Sequence, residues 1–387
     1  MKAASIVVVG GGIMGASVAW HLARRGWRDL VILDRSAAPG LGSTGAATGG
    51  FRVQFETPID VRLSLLARRK LLRFEDEVGV DPGYRQAGYL WLADRREDLE
   101  ALRSALAVQR AEGVTEAIEL GHGEIARHNP AVRPDGLLGG AFCPSDGFIR
   151  PRSMLQGYLD AAARLGVRIE WGLEATGVTR ASDGRITAVT TTRGALAAGA
   201  VVNAAGAWAG ALARDAELDP PVIPLRRQVA VTLPCDLLPE AMPMTIFTGD
   251  GFHLRVRDGR VLLLWPTPGA AGRPFGVEVE DDWVAAVARA ARARIPILGR
   301  AVVDRPSCWA GLYEMSPDRH AILGAAPRCP NLYYINGSSG HGVMHAPALG
   351  QLLAEIISDG AASSIDVTAL RPDRFGSGAA PAPAGLL

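Results

Sequence analysis

Residues 5–26 read SIVVVGGGIMGASVAWHLARRG, and this stretch decides the fold. It opens with a β-branched, apolar run typical of a buried strand, followed by three glycines at positions 10–12. Apolar residues then recur at helical spacing from Ile13 to Leu22, and Gly26 ends the helix. Residues 30–34, LVILD, predict a second buried strand. This order of elements is a βαβ unit, which indicates a parallel sheet.

The glycine turn has the spacing of a dinucleotide-binding motif. Gly10 permits the tight turn, Gly12 lets a pyrophosphate approach the backbone, and Gly15 lets helix and strand pack closely. The phosphates are expected at the helix N-terminus, where N–H groups and the helix dipole favour anions. Asp34 ends the next strand and is expected to accept a hydrogen bond from a ribose hydroxyl. That acid favours FAD or NAD over NADP.

Three further segments of small residues distinguish FAD from NAD. They read STGAATGG at 43–50, NAAGAWAG at 203–210 and NGSSGHGVMHAPALG at 336–350. A nicotinamide enzyme usually has one glycine segment, whereas a flavin needs backbone contacts along the whole extended cofactor. Four such segments in one chain therefore predict FAD.

The bulk composition excludes several function classes. The chain has 387 residues, of which 48% are hydrophobic and 21% charged. Its net charge of +1 gives no excess of positive charge that would favour binding to nucleic acid. The first apolar run breaks at the glycines and is too short to span a membrane. Four widely separated Cys residues predict neither a disulfide framework nor a metal site, and a reducing cytoplasm fits them.

The rest of the sequence alternates between glycine-rich segments with an α/β pattern and segments with a pattern of short strands. Helices are predicted over 58–78 and 153–165, and a strand over 86–93. Two β-hairpins are predicted, one turning at Asp183-Gly184 and one at Asp258-Gly259. From 219 onwards prolines and short alternating strands predict an antiparallel sheet of a second domain. Near 311 the glycine-rich pattern typical of an α/β fold begins again.

Four segments together resemble a known family: VVVGGGIMGASVAWHLARRG, STGAATGGFR, VVNAAGAWA and YEMSPDRHAILG…INGSSGHGVMHAPALG. They are similar to the D-amino-acid oxidase, glycine oxidase and sarcosine oxidase superfamily, nearest its sarcosine oxidase β-subunit and dye-linked L-proline dehydrogenase branch. The resemblance covers about 1–370. It implies an α/β fold with a Rossmann-like FAD-binding domain and an α+β substrate domain built on a mixed antiparallel sheet. The expected division is 1–85, 145–215 and 311–372 for FAD, 86–144 and 216–310 for substrate, and a flexible tail at 373–387.

The same resemblance implies which residues contact the cofactor. Ser43 and Thr44 are expected near the diphosphate or ribityl chain, and the loop after them beside the flavin ring. The glycine loop that begins at Gly337 is expected to face the flavin pyrimidine, where backbone donors stabilise the reduced, anionic flavin. The full expected set is Gly10, Gly12, Ile13, Met14, Gly15, Asp34, Arg35, Ser43, Thr44, Ala47, Thr48, Gly49, Val178, Ala205, Gly206, Trp208, Gly311, Gly337, Ser339, Gly340, His341, Gly342, Val343 and Met344.

Three residues are predicted to lie in the substrate site and to act on the substrate. Arg52 matches the arginine that binds the substrate carboxylate in monomeric sarcosine oxidase, and a guanidinium fork suits a carboxylate bidentately. His253 matches an active-site tyrosine of that enzyme, and His341 lies in the glycine loop. For each residue a structural role, as an ion pair or a packed ring, is the alternative. Trp265 and Tyr313 are either pocket walls or core.

Departures from the family pattern refine the prediction. Ala46 stands where some relatives attach flavin through a histidine, and Gly311 where monomeric sarcosine oxidase uses a cysteine, so non-covalent FAD is predicted. Met344 stands where that enzyme has a lysine in its C-terminal glycine loop, and about Leu262 where it has an oxygen-activating lysine. The chain's only lysines are Lys2 and Lys70, which favours a dehydrogenase over an oxidase.

The predicted function is oxidation of the C–N bond of an amino acid or N-substituted amino acid, of the proline, sarcosine or glycine type, by hydride transfer to flavin N5. The electron acceptor is oxygen, a quinone or a partner flavoprotein, and a hetero-oligomer is possible. Two alternatives stay open. One is an FAD-dependent 2-hydroxy-acid dehydrogenase, which needs a base for the alcohol proton, and the other is a non-catalytic flavoprotein subunit or assembly factor.

Overall fold

The computed structural model describes residues 4–213, 217–266 and 274–377. Helices form where apolar residues recur at helical spacing and end at Gly or in a polar turn. Those in the described ranges are α1 Ile13–Arg24, α2 Ser43–Ala46, α3 Pro58–Leu71, α4 Phe74–Val78, α5 Arg96–Ala111, α6 Ile125–His128, α7 Pro151–Arg164, α8 Asp281–Arg294, α9 Gly342–Asp359 and α10 Arg374–Ser377. None of these helices is long and apolar enough to cross a membrane.

The strands are rich in β-branched residues and are bounded by glycine or by Asp-Gly turns. They are β1 Ala4–Val9, β2 Leu30–Asp34, β3 Gly50–Phe51, β4 Arg85–Gln86, β5 Tyr89–Ala93, β6 Ile118–Gly121, β7 Gly139–Cys143, β8 Gly147–Phe148, β9 Arg168–Trp171, β10 Ala175–Arg180, β11 Ile186–Thr191, β12 Gly194–Asn203, β13 Ile223–Val231, β14 Met244–Phe247, β15 His253–Arg257, β16 Arg260–Leu264, β17 Trp309–Met315, β18 Ile322–Ala326 and β19 Cys329–Asn336.

The first sheet confirms the α/β fold predicted from residues 5–34. Its parallel centre has the order β9-β2-β1-β12-β19. The predicted hairpin β10-β11 extends it antiparallel along the first half of β12, and β18 pairs antiparallel with β19. The carboxyl ends of β1, β2 and β12 therefore lie at one edge, where α/β folds bind nucleotides.

The second sheet has the order β17-β13-β16-β15-β14-β5-β7-β6. It is antiparallel except for the parallel pair β5-β14. The predicted Asp-Gly hairpin joins β15 and β16, with Asp258 and Gly259 both at positive φ, as a two-residue type I′ turn requires. A small third sheet has the order β3-β8-β4.

Two predicted elements are each divided in the structure. The helix predicted over 58–78 breaks at Leu72–Arg73, where the chain bends so that Phe74 packs against Tyr158 with ring centroids 4.9 Å apart. The strand predicted over 86–93 breaks at Gly88, whose φ is +84°. A Cβ at Gly88 would lie 2.3 Å from the Phe142 ring, so the chain turns there from the third sheet into the second.

The domain division stays a prediction. Near two of its boundaries the structure shows contacts that the division does not anticipate. Residues 311–315 were assigned to the FAD-binding domain, but they belong to β17, which pairs along β13 in the second sheet. The predicted tail at 373–387 begins with an ordered turn, because buried Arg374 forms an ion pair with Asp318 at 2.7 Å. The rest of that tail, 378–387, lies outside the described residues.

Candidate active site

A cavity of about 1200 Å³ is lined by residues of both large sheets. One end is formed by the turn after β1, the end of β2 and the segment after β12. The other end is formed by the loop after α2, by β13, β15 and β17, and by the start of α9. The two groups of lining residues differ in chemistry.

The first end is shaped by the glycines of the β1–α1 turn. Gly10 has φ +111°, and a Cβ there would lie 2.2 Å from the Ala204 carbonyl oxygen. A Cβ at Gly15 would lie 1.9 Å from the Gly10 carbonyl oxygen, so this glycine joins the helix closely to the turn. Gly12 is different, because its Cβ would meet only the Thr44 hydroxyl, at 3.4 Å. Gly12 leaves open space beside the N-terminus of α1.

Asp34 and Thr44 hold that turn in place. The Asp34 carboxylate accepts hydrogen bonds from the backbone N–H groups of Gly11 and Ser36, each at 2.7 Å. The Thr44 hydroxyl accepts one from the Ile13 N–H at 3.1 Å. Both side chains line the cavity, so they are available to a ligand while they fix the glycine backbone.

An aromatic wall closes the same end. The Arg35 guanidinium lies 3.7 Å from the Trp208 ring centroid, and Phe275 stacks on Trp208 at 5.3 Å. All three residues line the cavity. A flat, apolar surface with a cation on it suits a planar heteroaromatic group.

The loop after α2 is held to the second sheet through its carbonyl groups. Trp309 Nε1 donates to the Ala46 oxygen at 2.8 Å, and Arg255 Nη1 donates to the Thr48 and Gly49 oxygens at 2.7 and 3.2 Å. A Cβ at Gly311 would lie 2.8 Å from the Ala46 Cβ, so strand β17 also approaches this loop closely. The small residues of the loop make these close contacts possible.

Arg52 lies at the far end of the loop and is only 4% exposed. Its Nη1 donates to the Gln54 carbonyl oxygen at 2.5 Å, and its Nη2 lies 3.0 Å from His341 Nε2. The guanidinium stacks 3.9 Å from the Phe55 ring centroid. Burial lowers the pKa of Arg52 from its ordinary value, and the nearby Glu56 carboxylate opposes that fall.

Asp146 anchors the segment that carries Arg52. Its carboxyl accepts hydrogen bonds from the Val53 N–H at 2.7 Å and from Gln54 Nε2 at 3.0 Å. It is fully buried, and burial raises its pKa to about 7. No sequence pattern indicates this role, because Asp146 is 94 positions from Arg52 and lies in a short turn.

The two predicted histidines both line the cavity, and burial lowers the pKa of each. Burial lowers the pKa of His253 to about 4, and its Nδ1 lies 2.8 Å from the Gly251 carbonyl oxygen. Nδ1 must therefore carry the proton, which leaves Nε2 as an acceptor. Burial also lowers the pKa of His341 well below its ordinary value, and the charge of Arg52 lowers it further.

Glu314 adds a carboxyl group to the cavity wall. Its Oε1 accepts a hydrogen bond from the Ser338 N–H at 3.3 Å, while its buried Oε2 has no hydrogen-bond partner among the described residues. Cβ atoms at Gly206 and Gly342 would lie 3.9 and 3.6 Å from this carboxyl group. Burial raises its pKa to about 7. An oxygen without a partner in this position fits a polar group of a bound ligand.

A family profile, DAO, described as FAD dependent oxidoreductase, matches residues 5–356 of the chain. The chain belongs to this family.

The relatives and the solved structures agree with this assignment. The chain is 30% identical to mitochondrial dimethylglycine dehydrogenase of Rattus norvegicus, over 96% of this chain and 45% of that protein. It is 28% identical to glycine oxidase of Geobacillus kaustophilus, over 91% of this chain and 92% of that one. The structure of L-proline dehydrogenase from P. horikoshii superposes with a TM-score of 0.89 at 26% identity, covering 98% of this chain and all of that one. The chain thus spans about half the length of the dimethylglycine dehydrogenases it matches.

The cavity fits FAD, the cofactor of this family. Gly10, Gly12, Asp34 and Thr44 would hold its dinucleotide end, because they combine open space, a helix N-terminus and hydrogen-bonding side chains. The loop from Ala47 to Gly49 and the glycine loop before α9 would hold the other half.

Most residues predicted to bind FAD line its cavity, and three do not. Gly15 packs against Gly10 as described, and Gly337, at φ +69°, packs against Ile322 and Ser316. Val178 belongs to a hydrophobic cluster of the first sheet, and Ala175 and Thr176 of the same strand line the cavity instead. The lining members are Gly10, Gly12, Ile13, Met14, Asp34, Arg35, Ser43, Thr44, Ala47, Thr48, Gly49, Ala205, Gly206, Trp208, Gly311, Ser339, Gly340, His341, Gly342, Val343 and Met344.

Sequence reasoning missed the basic residues of the second sheet. Arg255 and Arg257 follow His253 at intervals of two on β15, so all three share one face of the strand. Arg255 binds the loop beside the FAD cavity, and Arg257 donates to the Ala47 oxygen at 3.4 Å. The period of two was the available signal. Trp265 and Tyr313, left open between wall and core, both line the cavity.

Proposed function

We propose that this protein oxidises the C–N bond of an amino acid or an N-substituted amino acid, of the proline, sarcosine or glycine type. The observation that carries the proposal is the cluster of Arg52, His341 and His253 at one end of the FAD cavity. A cation and two neutral rings there match a substrate with a carboxylate beside an amine. Relatives named for dimethylglycine, sarcosine and glycine support the same class.

In this proposal Arg52 binds the substrate carboxylate. Two of its N–H groups point to Gln54 and His341, which fix the plane of the guanidinium. A planar guanidinium held in this way can recognise a carboxylate in a defined orientation, and that orientation determines where the α-carbon lies. His341 Nε2 accepts from Arg52, so His341 is a positioning residue here.

His253 is proposed to face the substrate amine. Its Nδ1–H is occupied by the Gly251 carbonyl oxygen, which leaves the Nε2 lone pair for the cavity. A neutral acceptor helps to hold the amine, and the low pKa of His253 keeps it neutral at physiological pH. Bound FAD would accept the hydride from the carbon next to the nitrogen.

Aromatic side chains are proposed to keep water from the reacting carbon. Tyr313, Trp91 and Trp265 line the cavity near this cluster, and burial raises the pKa of Tyr313, so its hydroxyl stays protonated. Exclusion of water strengthens the contact between Arg52 and a carboxylate, since charges interact more strongly at low dielectric.

We further propose that FAD is bound without a covalent link and that the enzyme is a dehydrogenase. Ala46 offers no attachment atom, and Cys308 Sγ instead donates to the Asp304 carbonyl oxygen at 3.4 Å. Lys70 forms an ion pair with Glu77 at 3.2 Å and is not among the residues that line the cavity. A quinone or a partner flavoprotein is then the favoured acceptor over oxygen, and the cytoplasm the favoured location.

The test is anaerobic reduction of the holoenzyme with a panel of amino acids. Bleaching of the flavin absorption band reports the reduction. Arg52→Met should weaken the apparent binding of the best substrate about 10- to 100-fold, as expected for a lost charge-assisted hydrogen-bond pair. Arg62→Met is the matched control, because Arg62 pairs with Glu112 on the exposed side of α3. No bleaching with any amine, or unchanged affinity in Arg52→Met, would contradict the proposal.

A further inference from the structure

A second guanidinium, that of Arg227, reaches the same cavity from strand β13. It forms no hydrogen bond and no ion pair with any residue in the described ranges. Its guanidinium lies 5.5 Å from the centroid of the Tyr313 ring. Arg227 is partly buried, and this burial lowers its pKa from the ordinary value.

Two buried arginines of this region, Arg52 and Arg255, have hydrogen-bond acceptors. Arg52 donates to Gln54 and lies against His341, and Arg255 donates to two loop carbonyl groups. Arg226, the sequence neighbour of Arg227, points away from the cavity and pairs with Glu280. Partly buried cations in folded proteins are normally paired, because desolvation without a partner is costly. Arg227 departs from that pattern and faces the cavity.

The position of Arg227 assigns it to the substrate end of the cavity. In the sheet it lies opposite Gly311, which approaches Ala46 in the loop beside the cavity. Its charge contributes to the lowered pKa of His253 and opposes the rise in the pKa of Tyr313, and the charge of Arg52 acts on the same two groups. Both arginines therefore lie near the same part of the cavity, which is away from the glycine turn that would hold the pyrophosphate.

The charges around this end do not cancel. Glu56 lines the cavity and acts on Arg52, so the first guanidinium already has an acidic neighbour. No carboxylate of the described residues forms an ion pair with Arg227, and the nearby Arg319, which also lines the cavity, lowers its pKa further. A substrate with a single carboxylate on Arg52 would leave Arg227 without a partner.

We infer that the substrate carries a second carboxylate, and that Arg227 binds it. The substrate class is then an acidic amine, either a dicarboxylic amino acid or its N-substituted or cyclic form. This inference rests on the proposed function, since it assigns the first carboxylate to Arg52. Arg227 becomes the residue that sets substrate specificity, because its fork would recognise a carboxylate bidentately.

Matched substrate pairs test the inference in the holoenzyme. N-methylalanine and N-methylaspartate differ only in a side-chain carboxylate, and proline and pyrrolidine-2,5-dicarboxylate differ in the same way. The wild type should reduce its flavin with the dicarboxylate at least about tenfold more efficiently. Arg227→Met should lose about 10- to 100-fold on the dicarboxylates, and less than about threefold on their partners. Arg227→Lys, which keeps the charge without the fork, should lose less.

Arg260→Met is the control, because it removes a cation from the same sheet at a position outside the cavity lining. Equal losses on both members of a pair, a preference of the wild type for the monocarboxylates, or a changed flavin reduction potential in Arg227→Met would each overturn the inference.

A binding measurement separates this inference from the proposed function. Succinate and acetate cannot be oxidised at a C–N bond, but a carboxylate bound beside the flavin perturbs its absorption spectrum. Succinate should bind the wild type about tenfold more tightly than acetate, and Arg227→Met should abolish that difference. This result would support the two-carboxylate site even if no amine reduces the flavin. Equal binding of succinate and acetate by the wild type would overturn it.

Discussion

The guanidinium of Arg52 and the imidazole of His341 share one hydrogen bond, with Nη2 3.0 Å from Nε2. Arginine has only donors, so His341 Nε2 must accept, and its proton must lie on Nδ1. The pKa of His341, lowered well below its ordinary value, keeps this tautomer neutral over the working pH range. The pair therefore fixes Arg52 and leaves the Nε2 of His341 unable to take a proton from a substrate.

A first prediction concerns His341. His341→Leu should raise the KM for the best substrate about tenfold, the value of one hydrogen bond to a charged group, and change the maximal rate less. His341→Gln should restore most of the affinity, because its carbonyl oxygen can also accept from Arg52. Steady-state kinetics across pH 5.5–9 would measure both. The loss of an ionisation from the pH profile of His341→Leu would show instead that His341 exchanges protons.

A second prediction separates the proposed reaction from oxidation of a 2-hydroxy acid. His253→Gln should reduce the limiting rate of flavin reduction by an amine less than about tenfold, because the amine lone pair itself assists departure of the hydride. An alcohol substrate would need a base for its proton, and removal of a general base typically costs 10²- to 10⁴-fold. Stopped-flow reduction measures the rate, and a loss in that larger range would favour the alternative.

A third prediction tests the FAD assignment without turnover. In Gly12→Ala the added Cβ would meet only the Thr44 hydroxyl at 3.4 Å, so the apoprotein should fold with unchanged stability. That methyl group would occupy the space beside the N-terminus of α1, and FAD affinity should fall tenfold or more, which is about 1.4 kcal/mol. Flavin fluorescence titration and thermal unfolding of the apoprotein measure the two effects separately.

Two glycine variants provide the controls for that experiment. Gly10→Ala should destabilise the apoprotein itself, since its Cβ would overlap the Ala204 carbonyl oxygen. Gly26→Ala has an equally unusual φ, +94°, but no atom within 4 Å, so it should bind FAD normally with a modest loss of stability. Unchanged FAD binding in Gly12→Ala would contradict the placement of the pyrophosphate.

The fold was predictable wherever the signal is local. The strand, glycine turn and helix of residues 5–26 depend on spacing within one segment, and both hairpins depend on an Asp-Gly pair. The division of the strand predicted over 86–93 was not visible, because it depends on the Phe142 ring that a Cβ at Gly88 would strike. That contact joins positions 54 residues apart.

The site was predictable to a similar degree. Glycine loops identify backbone that approaches a cofactor, and they led to most of the residues that line the cavity. Partners brought together by the tertiary fold were not visible. Arg255 and Arg227 resemble any basic residue on an alternating strand until the loop and the opposite wall of the cavity are known. Asp146 likewise acquires its role from the segment Val53–Gln54, which the chain brings near it only after folding.

A last prediction uses the pKa of Asp146, which burial raises to about 7. A carboxyl whose pKa is raised in the native state binds its proton more tightly there than in the unfolded chain. Its contribution to stability is present below the unfolded value near 4 and is lost as the pH rises towards 7. His253 and His345, with pKa values lowered to about 4, act in the opposite direction over pH 4–6.5. The wild-type profile alone would therefore hide the effect.

A comparison of the wild type with the Asp146→Asn variant isolates the contribution of Asp146 to the pH dependence of stability. Asp146→Asn keeps an acceptor for the Val53 N–H but cannot ionise, so its free energy of unfolding should gain on the wild type as the pH rises. The gain between pH 5 and 7.5 is on the order of 3 kcal/mol, since about two pH units lie between pH 5 and the pKa of about 7. Urea unfolding of both apoproteins at pH 5 and 7.5 measures it, and the histidine contributions cancel in the difference. Parallel stabilities at the two pH values would mean that Asp146 is ionised throughout, with Arg52 as its counter-charge.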